Sequence, residues 1–238
     1  MAKLRPEQLD QALKKGLESI YILSGDEPLL IQEAADSIRA QARAQGFSER
    51  ELFHVDNQFD WGQLLSAANA LSLFAEKKIL ELCMPSGKPG DKGAKILQDY
   101  VESPSPDNLL LIITNKIDGA TQKTKWFKAL ESRASWVQVW PVPPAQLPRF
   151  ISQRLTTAGL KAEPDAIALL ASRIEGNLLA AIQEIEKLKL IASDQIITTE
   201  FMASAVADSA RYDVFGLADK ALAGDKVGAV KMLQGLRN

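Results

Sequence analysis

Residues 20–32, IYILSGDEPLLIQ, are the part of this chain that decides the fold. A short run of β-forming residues, 20–24, enters a turn at Gly25, and an amphipathic helix begins close to Pro28. A nucleotide-binding domain places its phosphate-binding loop in this same order of buried strand, glycine turn and helix. The stretch therefore predicts the scaffold of a nucleotide-binding domain.

The residues that bind phosphate are missing from this stretch. When the template G-x-x-x-x-G-K-[ST] starts at Gly25, its last three positions fall on Leu30, Ile31 and Gln32. The turn itself supplies Asp26 and Glu27, whose carboxylates would repel a triphosphate. There is no lysine here for the β- and γ-phosphates and no hydroxyl for Mg²⁺. We therefore expect this degenerate loop not to bind nucleotide.

The same loop has a purely structural interpretation. Asp26 can N-cap the helix, with Pro28 in its first turn, because short acidic side chains accept hydrogen bonds from the first free N–H groups. A second hallmark of an ATPase, acidic residues at the end of a neighbouring strand, is also weak. Glu81 lies in the middle of a predicted strand, and nothing acidic follows at its end.

Composition excludes several classes of protein. The 238 residues include one histidine, His54, and one cysteine, Cys83, so zinc sites and catalytic sets built on Cys and His are not expected. We predict no metal and no cofactor. No apolar run approaches the roughly 20 residues of a membrane span, and the first residues lack the apolar core of a signal peptide. A cytoplasmic protein without a membrane partner is the expectation.

The first part of the chain alternates strand-like and helix-like segments. Apolar residues of the helix after Pro28 share one face, and on its other side Asp36 and Arg39 can pair at i,i+3. The strand-like runs are 20–24, 51–55, 79–84, 108–114 and 135–140. Such alternation predicts an α/β domain over 1–140, with a parallel sheet covered by helices on both faces.

Helical segments follow the proline-rich stretch 141–144. They predict a small all-α domain over 141–210, with helices near 145–158, 164–175, 177–192 and 198–206. A third piece, 211–238, holds two short amphipathic segments that cannot bury a core of their own. We therefore expect a truncated chain whose natural form continues.

The order of these pieces resembles a known family. A P-loop-type domain, a helical lid and the start of a third helical domain are typical of AAA+ clamp-loader subunits. The particular motifs resemble the delta-subunit family of the bacterial DNA polymerase III clamp loader. They are SGDEPLL at 24–30, SLF at 72–74, NLLLIITNK at 108–116 and GNLLAAIQEIEKL at 176–188. The resemblance implies that 211–238 is the beginning of a helical collar domain, and we expect the rest of that domain to lie beyond this sequence.

The resemblance implies a function. Members of the family bind the ring-shaped sliding clamp and help to open it during DNA replication, while neighbouring subunits hydrolyse ATP. The hydrophobic pair that contacts the clamp maps onto Leu73 and Phe74, with Leu71 and Ser72 beside it. The implied partners are the clamp and, through the collar, the other loader subunits. No catalytic site is expected, although the holoenzyme is a nucleotidyltransferase, a DNA-directed DNA polymerase.

The helical pattern around this pair leaves two possibilities. Trp61, Leu64, Leu65, Ala68 and Leu71 form one apolar stripe of a helix predicted over 60–71. If the helix continued, Leu73 and Phe74 would point away from that stripe and face a partner. If the helix ends first, the two side chains can turn into the core instead.

Two further questions stay open in the sequence. The first concerns a group of lysines in the α/β domain, which could contact a DNA backbone weakly and without sequence preference or could simply keep the surface soluble. The group consists of Lys77, Lys78, Lys88, Lys92, Lys95, Lys116, Lys123, Lys125 and Lys128. The alternatives to a clamp-loader subunit are an ATP-hydrolysing AAA+ enzyme with an atypical phosphate loop and an adaptor for another partner.

Overall fold

The chain divides into two compact units, Met1–Pro141 and Val142–Asn238. The computed structural model describes residues 2–70, 77–174, 176–192, 196–209, 221–227, 229–230 and 233. The first unit mixes strands and helices, and the second is helical. Within the described ranges, no helix has both the length and the apolar character to cross a membrane.

The first unit is built on a parallel sheet, as predicted. Its strands are β1 (Ala2–Leu4), β2 (Ile20–Gly25), β3 (Phe47–His54), β4 (Lys77–Cys83), β5 (Asn108–Thr114) and β6 (Ser135–Val139). All pairings are parallel, in the order β1-β6-β2-β5-β4-β3. β2 lies at the centre and is buried along its whole length, which explains its uninterrupted apolar run.

Helices cover both faces of this sheet. They are α1 (Pro6–Lys15), α2 (Pro28–Ala44), α3 (Trp61–Asn69), α4 (Gly90–Glu102), α5 (Gly119–Gln122) and α6 (Lys125–Arg133). Side chains of α1 and α2 share one core with Tyr21 and Leu23. Side chains of α3, α4 and α6 share another with Ile20 and Ile22. Successive residues of β2 thus enter opposite cores, as the pleat of a strand requires.

The structure differs from the predicted elements at the edges. β1 and α1 were not predicted, because three residues pairing with β6 leave no apolar run to detect. β3 begins at Phe47 rather than near 51. The prediction missed this start because Ser48, Glu49 and Arg50 are polar and exposed at the edge of the sheet. The helix predicted near 121–132 is divided into α5 and α6 at Lys123 and Thr124.

The second unit consists of helices in its described part. They are α7 (Leu147–Thr157), α8 (Pro164–Ile174), α9 (Leu178–Ile191) and α10 (Thr199–Ser209), close to the predicted ranges. Asn177 caps α9, its Oδ1 accepting from the N–H of Ala180 at 3.1 Å. Most of the predicted third piece, 211–238, lies outside the described residues.

Candidate functional site

The loop after β2 stands where a phosphate loop would stand, at the carboxyl end of the central strand. Gly25 is required there, because a Cβ would lie 1.9 Å from the carbonyl oxygen of Val139 on β6. α2 starts at Pro28, and its N-cap residue, Glu27, has an extended backbone (φ −114°). The predicted order of strand, tight turn and helix is confirmed.

Asp26 does not cap α2, so that part of the prediction was wrong. The N-cap is Glu27, whose side chain makes no capping hydrogen bond, and the carbonyl of Glu27 accepts from the N–H of Ile31 at 3.1 Å. Asp26 lies one residue too early to reach the first turn. Its Oδ1 instead accepts from the N–H of Lys116 at 3.3 Å, which ties the loop after β2 to the loop after β5.

The template positions at the start of α2 have structural partners. Leu30 and Ile31 pack, half-buried, against the core beneath α2. Gln32 is exposed, and its Nε2 donates to Oδ2 of Asp36 at 3.1 Å. Burial raises the pKa of the Glu27 carboxyl, and the nearby backbone of Leu29 acts in the opposite direction. A triphosphate placed at this turn would meet two carboxyl groups and an apolar first turn.

The end of α3 is held by two buried polar side chains. Nζ of Lys78 donates to the carbonyl oxygen of Ala67 at 3.2 Å, and Nδ2 of Asn108 donates to that of Ala68 at 2.7 Å. Lys78 and Asn108 are only 5% and 3% exposed. The last carbonyl groups of a helix have no partner within the helix, so these two donors satisfy the free end of α3.

The predicted clamp contact begins just beyond that helix end. Leu71, Ser72, Leu73 and Phe74 lie outside the described residues, which stop at Ala70 and resume at Lys77. Trp61, Leu64 and Ala67 are the buried residues of α3, whereas Leu65 and Ala68 are only half-buried. The role of the four residues after α3 therefore stays a prediction.

Comparison with known proteins settles which family this chain resembles. The family model for "DNA polymerase III, delta subunit" matches residues 21–139. DNA polymerase III subunit delta of Escherichia coli K12 is 36% identical over 237 residues, which cover 100% of this chain and 69% of that protein. The chain belongs to the DNA polymerase III delta-subunit family. The delta subunit of Haemophilus influenzae is 32% identical over 240 residues, covering 100% of this chain and 70% of its own length.

Solved structures support the same fold for this delta-family chain. The Bacillus subtilis DNA clamp loader delta protein matches with a TM-score of 0.66 and 21% identity, over 97% of this chain and 71% of that one. The Thermotoga maritima RuvB Holliday junction branch migration motor matches with a TM-score of 0.52 and 14% identity, over 84% and 68%. At these identities the likeness concerns the fold, an AAA+-type α/β unit followed by helices.

One group that sequence reasoning missed lies under α2. Glu81 of β4 is 3% exposed, and both of its carboxylate oxygens accept hydrogen bonds from Arg39 of α2 and from Arg50 of β3, at 2.7–3.1 Å. The predicted pair of Asp36 and Arg39 is confirmed at 2.6 Å. However, Arg39 is buried rather than on a solvent face. An acid inside an apolar strand was the signal that a buried partner exists.

The lysine-rich surface is smaller than predicted. Lys78 is buried, so it is not available to a phosphate backbone. Nζ of Lys77 lies 5.4 Å from the ring centroid of Phe47, and Nζ of Lys116 lies 5.2 Å from that of Trp140. Seven of the predicted lysines are exposed: Lys88, Lys92, Lys95, Lys116, Lys123, Lys125 and Lys128. Within the described ranges, no cluster of His, Cys, Asp or Glu could hold a metal ion.

Proposed function

We propose that this chain binds the sliding clamp through a hydrophobic wedge, Leu73 and Phe74, flanked by Leu71 and Ser72, and opens the ring so that it can be loaded onto DNA. Membership of the delta-subunit family is the observation that carries this proposal. The geometry supports it because α3, which leads directly to the wedge, ends at a helix terminus that Lys78 and Asn108 hold.

The wedge opens the ring by differential binding. A ligand shifts an equilibrium between closed and open forms only as far as it prefers one of them. An aromatic and an aliphatic anchor in a partner's pocket are each worth about 2 kcal/mol or more. Such anchors open the ring only to the extent that they bind its open form better than its closed form, because equal binding to both forms would shift nothing.

ATP hydrolysis belongs to neighbouring subunits in this proposal, and the chain itself carries no catalytic site. The support is the loop at Gly25, where Ile31 takes the place of the phosphate-binding lysine and Asp26 and Glu27 add two carboxyl groups. Equilibrium binding of labelled ATP to the isolated chain tests this point. We expect no saturable binding at micromolar ATP, and micromolar affinity would favour the ATPase alternative.

The other partners follow from the family. We propose that further loader subunits assemble with the full-length protein through a collar domain that begins at 211–238, and that DNA contact is weak, dependent on salt and indifferent to sequence. The exposed lysines of the first unit are the groups that would make such contact.

The clamp proposal is tested with the double variant Leu73→Ala/Phe74→Ala. Loss of two anchors should weaken clamp binding by about 4 kcal/mol, roughly a thousandfold in Kd. The melting temperature should change little if both side chains face the partner. Titration calorimetry with the purified clamp of the same source measures the affinity.

A matched control removes two leucines elsewhere. Leu179 and Leu190 on α9 are 54% and 87% exposed, so Leu179→Ala/Leu190→Ala deletes exposed apolar surface without touching residues 71–76. This variant should keep parental affinity for the clamp. Parental affinity in the Leu73/Phe74 variant would contradict the proposal.

A further inference from the structure

Two polar side chains occupy an unusual place at the start of neighbouring strands. Lys78 is the second residue of β4 and Asn108 the first residue of β5, and the two are paired in register. Both side chains point to the face that α3 covers, and both are almost completely buried. Burying an ammonium group is unfavourable unless partners replace its water. The partners should therefore indicate why the group is there.

Those partners are the last carbonyl groups of α3. The carbonyls of Ala67 and Ala68 accept from Lys78 and Asn108 respectively, and a cation at this end also complements the negative end of the helix dipole. Nζ of Lys78 lies 3.5 Å from Oε1 of Glu51 on β3 as well. Side chains from three neighbouring strands thus form one network at the end of α3.

This network lies on both sides, in sequence, of the segment that is proposed to contact the clamp. α3 ends at Asn69, and β4 starts at Lys77, on the other side of residues 71–76. The backbone N–H of Lys78 donates to the carbonyl of Asp107 at 2.9 Å, just before β5. The end of α3, which precedes the segment with Leu73 and Phe74, is hydrogen-bonded to side chains of β4 and β5. β4, which follows the segment, is itself paired with β5.

We propose that Lys78 and Asn108 are positioning residues for clamp binding, because they fix the helix end from which the wedge segment departs. The inference rests on the proposed function. It assigns no contact with the clamp to either residue: they act through α3. An apolar side chain at position 78 would fill the same space without burying an amine, but it would remove one of the two donors at the end of α3, the one to the carbonyl of Ala67.

The test replaces each donor by an apolar side chain of similar size, Lys78→Met and Asn108→Leu. Each change should weaken clamp binding about tenfold, mainly through faster dissociation, since a wedge that starts from a loosened helix end is less preorganised. Surface plasmon resonance with the immobilised clamp measures both rates, at a temperature well below every melting point. Asn108→Ser, a smaller change that also removes the amide, serves if either substitution prevents folding.

The matched control lies on the opposite face of β4. Arg39→Met removes a buried cation of similar exposure and lowers stability, but it does not touch α3, so clamp affinity should stay at the parental value. Equal weakening by Arg39→Met would show a general effect of lost stability and overturn the inference, and so would parental affinity in the Lys78 and Asn108 variants.

The Leu73→Ala/Phe74→Ala variant, measured beside them, separates this inference from the proposed function. If that variant loses the clamp while the Lys78 and Asn108 variants keep it, only the positioning role fails. If that variant keeps the clamp, the proposed function itself fails.

Discussion

The two faces of β4 both bury charge, but they use it differently. On the face covered by α2, Glu81 accepts hydrogen bonds from Arg39 and Arg50, and Asp36 accepts one from Arg39, so two carboxylates balance two guanidinium groups. On the face covered by α3, Lys78 donates to a helix carbonyl, and its nearest carboxylate, that of Glu51, is 43% exposed. β4 thus takes part in an ion network on one face and, on the other face, carries a lysine that donates to the end of a helix.

The two networks on β4 connect to different parts of the unit. The Glu81 network joins a helix, a central strand and an edge strand, all of which belong to the scaffold. The Lys78 network joins three strands to the end of α3, which leads to the predicted clamp contact. We therefore expect changes on the α2 face to alter the free energy of unfolding, and changes on the α3 face to alter clamp affinity as well.

The largest effect on stability should come from Glu81→Ala. The change leaves the buried guanidinium of Arg39 without its main partner, and breaking a buried ion pair in this way costs about 3–5 kcal/mol. Urea unfolding followed by circular dichroism measures the loss. Clamp affinity of the folded fraction should equal that of the parent.

Two further variants sharpen that expectation. Arg50→Ala should cost less than Glu81→Ala, because the Arg50 side chain is 45% exposed and Arg39 still pairs with the glutamate. Arg39→Met combined with Glu81→Leu should recover much of the stability, since apolar pairs often replace buried ion pairs without loss. A stability loss below about 1 kcal/mol in Glu81→Ala would contradict the expected contribution of this ion network to the free energy of unfolding.

A smaller effect should be seen in acid. Burial alone would raise the pKa of Glu81, but the hydrogen bonds and charges of Arg39 and Arg50 outweigh burial and hold the pKa below its ordinary value of 4.5. The stabilisation is therefore complete above pH 4.5 and is lost as the pH falls through the lowered pKa of the folded state. Unfolding free energies measured between neutral pH and acid should fall steeply in this range.

Glu81→Gln provides the control for the acid effect. Its side chain has no proton to gain, so its free energy of unfolding should fall less between pH 5 and more acidic conditions than that of the parent, by an amount set by the lowered pKa. Identical slopes in the two proteins would show that other carboxyl groups dominate the acid response.

The central elements of the fold were predictable, and the edges were not. The apolar runs of β2, β4 and β5 are long because both sides of these strands are covered, and such runs can be recognised in the sequence. β1 has only three residues and depends on its pairing with β6, so no pattern within those three residues could predict a strand there. The polar start of β3 follows the rule for edge strands and was left out of the strand predicted over 51–55.

The candidate site was predicted less completely than the fold. Sequence spacing alone shows that Leu30, Ile31 and Gln32 stand where a phosphate loop has its last three conserved residues. The bond from Lys116 to Asp26, by contrast, joins residues 90 positions apart, and Asn108 reaches Ala68 over 40. Lysine and asparagine at the start of a strand are usually solvated, so only the tertiary packing of α3 shows that they are buried donors.

Release of a closed clamp from circular DNA is the sharpest test of the proposed wedge, because it measures ring opening rather than binding alone. Clamps labelled with a fluorophore are loaded on a circular duplex, the chain is added, and the rate of clamp release is followed. If the wedge opens the ring, the parent chain accelerates release and the Leu73→Ala/Phe74→Ala variant does not. Equal acceleration by both proteins, or none by the parent, would contradict the proposed wedge.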